Sequence, residues 1–124
     1  MRNEVNDLIL SGSSIKGTTV KTPLDEKIGS IKDLMIETST GHIAYAVLEV
    51  DTGFLNLGSK FFAIPWQALS LDNHQDEVII LDVDKDRLEA SPGFDKDNWP
   101  TGPQYDFINK VHAYYGYKRD KNIL

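Results

Sequence analysis

The sequence predicts an all-β fold: a small, strongly bent antiparallel β-barrel followed by a short C-terminal α-helical extension. Three observations predict it. Short β-rich runs alternate with Gly-, Asn- and Asp-marked turns between residues 15 and 83. One of these runs, His42–Val50, is apolar on both faces, as a strand covered from two sides must be. The third is residues 54–69, which hold a Gly-marked corner, the short strand Lys60–Ile64 and then Pro65-Trp66. Proline has no N–H for a ladder, so the strand ends or becomes an edge there, and the Trp66 ring is expected against the mouth of the core.

The elements follow in order. Residues 1–13 form an N-terminal arm, with Leu8-Ile9-Leu10 as an edge strand or packing arm and Gly12-Ser13-Ser14 as a turn. Residues 15–22 are β-rich, and Gly17 within them marks a bulge or corner. After a turn at 23–27, apolar residues fall at 28, 31, 34 and 36, a strand whose faces match if one bulge intervenes. Residues 38–41 close a hairpin onto the strand beginning at His42, and Asp51-Thr52-Gly53 turns the chain again. Beyond Pro65, one helical turn leads to a hairpin with arms at 70–72 and 77–83. Lys85–Ala90 reads as a single helical turn, and 91–103 as a proline-rich loop pinned down by Phe94 and Trp99. Tyr105, Ile108, Val111, His112 and Tyr115 share a helical stripe ended by Gly116, which predicts a short amphipathic helix.

Composition narrows the function classes. With 40% hydrophobic and 26% charged residues, the 124-residue chain has ordinary globular usage and enough length to bury a core without staples. It has no cysteine, which removes disulfides, thiolate nucleophiles and Cys-based metal sites. The N-terminus lacks the basic start and long apolar run of a signal peptide, and no apolar run spans a bilayer. We therefore expect a cytoplasmic chain without membrane insertion. The net charge of −6 and scattered basic residues argue against direct nucleic-acid contact, which needs clustered Lys and Arg.

The middle of the chain resembles the PRC-barrel family. The resemblance runs through Ile15-Lys16-Gly17 with Val20, then Lys27-Ile28-Gly29-Ser30-Ile31-Lys32-Asp33-Leu34, then Gly41-His42-Ile43-Ala44-Tyr45-Ala46-Val47-Leu48. It continues through Gly53, Gly58, Phe62-Ala63-Ile64-Pro65-Trp66 and Leu69. Residues 14–84 carry it, and the tail around Ser91-Pro92-Gly93-Phe94-Asp95 and Asn98-Trp99-Pro100 looks like the extension of stand-alone bacterial members. The resemblance implies a barrel at 14–84, an extension at 85–124 packed on it, and a non-enzymatic scaffold or protein-interaction role with no cofactor. The family includes the cytoplasmic domain of a photosynthetic reaction-centre subunit and half of a ribosome-maturation factor, so ribosome-related docking is an alternative by analogy.

The residues themselves assemble little chemistry. Asp82, Asp84 and Asp86 occupy the first, third and fifth positions of a calcium loop, but Arg87 and Gly93 stand where Gly and Glu belong. Asp95, Asp97 and Asn98 make a second acidic group explained by turn formation. His42, His74 and His112 lack zinc-site spacing, and a pairing of His42 with Asp33, Glu37 or Glu49 has no accompanying nucleophile. We expect no catalytic or metal residues; a small-ligand or metal-ion-binding barrel is the alternative. Phe54, Leu55, Pro65, Trp66, Phe94, Trp99, Tyr105 and Phe107 are the candidate interaction surface, because aromatics are enriched at hot spots. The same aromatics complete the core if they fold onto the barrel. The expected partner is a protein, with a second copy of this chain as one candidate.

Overall fold

The computed structural model describes residues 9–51, 54, 60–71, 78–102 and 104–117. The turn at 12–14 is a one-turn helix, α1 (Gly12–Ile15), capped by the Ser11 hydroxyl, which accepts the Ser14 N–H. Gly17 takes a left-handed φ of +84° in the turn that follows. The first strand, β1 (Thr19–Lys21), is therefore shorter than the β-rich run it lies in. Next come β2 (Lys27–Glu37), β3 (His42–Val50) and β4 (Lys60–Ile64). Pro65 and the 3-10 turn Trp66–Ala68 lead into β5 (Leu69–Leu71) and β6 (Val78–Leu81). After α2 (Lys85–Glu89), a strand that the loop composition conceals, β7 (Gly93–Asp95), pairs with β4, and α3 (Tyr105–Tyr114) ends the described fold.

These strands form one seven-stranded sheet in the order β5-β6-β1-β2-β3-β4-β7. Two features correct the expectation of a wholly antiparallel barrel. β1 pairs with β6 in parallel, because the long excursion through β2–β5 returns the chain in the same direction. Among the described residues the ladder also stays open, with β5 and β7 as its ends. The bend is nonetheless forced. In a flat sheet β4 and β5 would lie five inter-strand steps apart, about 24 Å. Only five Cα steps join Ile64 to Leu69, at most about 18 Å if fully extended and less through a 3-10 turn. The sheet must roll until these strands approach.

The expected bulge in β2 lies between Ile31 and Asp33, and a second register shift follows Met35. The first brings Ile31 and Leu34 onto the inner core; beyond the second, Ile36 is left 53% exposed. Gly29 is required where β2 crosses β3, since a Cβ there would run into the Glu49 carbonyl.

Alternation along β3 and β4 divides the core in two. Ala46, Leu48, Phe62 and Ile64 face an inner cluster shared with Val20, Ile28, Ile31, Ile79 and Leu81. Tyr45, Val47, Phe61 and Ala63 face an outer cluster completed by Phe94, Ile108 and Val111, with Trp99 and Phe107 packed against it. Burial on both faces is what the all-apolar β3 sequence predicts.

Candidate functional site

The eight residues expected to form an interaction surface separate by burial. Phe54 is 5% exposed and lies in the inner cluster, Pro65 is buried, and Trp66 leans half-buried on that cluster from the 3-10 turn. Leu55 lies outside the described residues. Phe94 is buried in the outer cluster, where its ring meets those of Phe61, Trp99 and Phe107 at centroid distances of 6.2, 5.1 and 6.3 Å. Phe107 also meets the Tyr45 ring edge-on at 5.5 Å. Offset and edge-on ring pairs of this kind add to area burial, so these aromatics bind the extension to the sheet. Of the seven that are described, Tyr105 alone is largely exposed, at 56%.

Tyr105 and Ile36 border a groove of about 220 Å³ between the β2–β3 hairpin and the start of α3. Its floor contains the Tyr45 hydroxyl, which donates to Gln104 Oε1 at 2.7 Å, while Gln104 Nε2 donates to the Pro100 carbonyl at 3.2 Å. Burial pushes the Tyr45 phenol up to about 12, so it is a neutral donor at physiological pH. The far end of α3 is tied to α2: Tyr114 Oη donates to the Arg87 carbonyl at 2.6 Å, and the Arg87 guanidinium lies over the Tyr114 and Tyr115 rings. The Tyr115 hydroxyl is buried without a hydrogen-bond partner among the described residues. Burial raises its pKa, with the nearby Ser91 hydroxyl and Arg87 charge acting against the rise.

The polar candidates disperse. Asp84 caps α2, its carboxylate accepting the Arg87 N–H at 2.8 Å, and Asp82 and Asp86 are exposed beside it. Asp95 and Asn98 belong to a turn closed by the Asn98 N–H on the Asp95 carbonyl. Glu37 stands opposite His42 in register at the hairpin, whereas Asp33 accepts the Leu34 N–H and Glu49 pairs with Ser30, about 24 Å along β3 from His42. His74 lies outside the described residues. His112 is 3% exposed, and its Nε2 donates to the Ala44 carbonyl at 2.9 Å; this fixes the tautomer and docks α3 on β3. Among the described residues no group of three His, Asp or Glu is arranged to hold a metal, and no helix is long and apolar enough to cross a membrane.

Sequence reasoning missed β7 and the His112–Ala44 bond. The signal for β7 was present in Gly93-Phe94-Asp95, a run too short to separate from a loop. No curated protein matches the chain. The sequence profile of the PRC-barrel domain matches residues 8–88, from before α1 into α2 and thus across β1–β6. On that match, over more than half its length, the chain belongs to the PRC-barrel domain family.

Proposed function

We propose that this chain is a non-enzymatic, cytoplasmic protein-interaction module: a PRC-type barrel at residues 14–84 carrying an extension at 85–124 that shapes its docking surface. The family match over residues 8–88 carries this reading. The roll forced by the short β4–β5 connection supports closure toward a barrel. Packing of Phe94, Trp99 and Phe107 on the outer face supports a rigid platform, which costs little ordering entropy on binding. Of the candidate aromatics, Tyr105 is the most exposed and lies near exposed Ile36, which supports a direct contact there.

The test is affinity capture from the source cell's lysate combined with sedimentation of the purified full chain. A reproducible protein partner, or a dimer, lost on Tyr105→Glu is the expected result. A strictly monomeric chain that captures no protein overturns the reading.

A further inference from the structure

A second groove, of about 570 Å³, lies on the other side of α3, between that helix and the stretch entering β7. Its walls include Gly93 from β7, Phe107, Lys110, Ala113 and Tyr114 from α3, and Lys60 from β4. Among the described residues β7 is a terminal strand of the sheet. The Ala63 N–H donates to the Pro92 carbonyl at 3.1 Å, so in this antiparallel ladder Pro92 and Phe94 bond to β4. The N–H and C=O of Gly93, between them, therefore point to the open side. A Cβ at Gly93 would meet the Phe61 carbonyl, so a glycine is required where β7 runs close against β4.

Both charged groups lining the groove are lysines, in a chain of net charge −6. Among the described residues neither has a carboxylate partner; the Lys60 ammonium instead sits 5.3 Å from the Phe62 ring centroid, and Asp95, its cross-strand neighbour, makes no ion pair with it. Lys60 shares the inner face of Phe62, whereas α3 covers the outer face of Phe61. The two ammonium groups thus flank opposite faces of one open strand edge.

We propose that this groove binds an extended acidic segment of a partner protein, added as a strand to the edge of β7 with carboxylates on Lys60 and Lys110. Alternate side chains of a strand point to opposite faces, so the matching acids sit at odd spacing. Main-chain bonds to Gly93 supply affinity, and the lysines supply selectivity. The chain's overall negative charge opposes any acid at long range, but physiological salt screens that field beyond about 8 Å, leaving the local lysines to decide. Two lysines are too few to track a phosphate backbone. This goes beyond the module reading by naming a second site and the chemistry of its partner.

The probe is a random-peptide phage library panned on the immobilised full chain. Recovered peptides should be enriched in Asp and Glu at odd spacing. Their retention should fall about tenfold on Lys60→Glu/Lys110→Glu and likewise on Ala113→Trp, which fills the groove without changing charge. It should be unchanged on Lys16→Glu/Lys32→Glu, where the same charge is reversed at exposed lysines elsewhere. Melting curves identify any variant that fails to fold, in which case the other groove variant decides. Absence of acidic enrichment, equal retention on the groove variants, or displacement of the peptides by RNA or anionic vesicles at equal charge would overturn the proposal. A lysate partner that still binds both groove variants overturns this groove alone and leaves the module reading intact.

Discussion

The two faces of β3 and β4 are built differently. The inner face meets aliphatic side chains from strands spread along the whole sheet, and its largest fully buried members include Phe62, Ile28, Ile31 and Leu48. The outer face meets one late segment of chain, rich in rings, which contributes Phe94, Trp99, Phe107, Ile108 and Val111. Shape-tolerant aliphatics fill a rolled interior, while edge-on aromatic pairs and one histidine hydrogen bond orient an appended helix. The inner core therefore holds the fold together, and the outer core decides where the extension sits.

Truncating one large buried side chain on each side breaks this comparison most directly. Phe62→Ala should cost about 3–5 kcal/mol and lower the melting midpoint of every strand together. Ile108→Ala, at the outer cluster, should cost about 2–3 kcal/mol. Amide exchange then separates two cases. If α3 loses protection while β1 and β2 keep theirs, the faces are energetically distinct; uniform loss would merge them into one unit.

A smaller effect is expected at the crossing of β2 and β3. Gly29→Ala pushes a methyl into the Glu49 carbonyl and should cost about 1–3 kcal/mol in denaturant unfolding, without touching the outer cluster. A neutral result would mean that the strands part easily there.

The smallest change sharpens the outer face. Tyr45→Phe removes the bond to Gln104 and should cost about 1 kcal/mol near neutral pH. The folded state holds the Tyr45 proton more tightly than the unfolded chain does, since its pKa rises from 10.0 to about 12. Its contribution is therefore full below pH 10 and is lost as pH rises toward 12. The Phe variant should show a shallower loss of stability across that window, and an unchanged slope would assign the alkaline loss to other groups.

Much of the strand framework was legible because it is written in local chemistry. Apolar character on both faces marked β3, Pro65 marked the end of β4, one bulge reconciled Ile31 with Leu34, and the α3 stripe placed Ile108, Val111 and His112 on the buried side. The candidate surface was less legible. Phe94 and Phe54 look the same in sequence whether they meet a partner or their own sheet, and the structure buries both. The groove beside β7 had no sequence signal, because Lys60 and Lys110 are fifty residues apart along the chain.

By itself, then, the sequence determined most of the extended and helical segments, the absence of cysteine chemistry and the resemblance to a barrel family, since these depend on neighbouring residues and composition. Only the tertiary structure decided the parallel pairing of β1 with β6, the recruitment of Gly93–Asp95 as a seventh strand, and which aromatics lie inside. These depend on contacts between distant parts of the chain. Their free energy comes from burying matched surfaces that no local window contains.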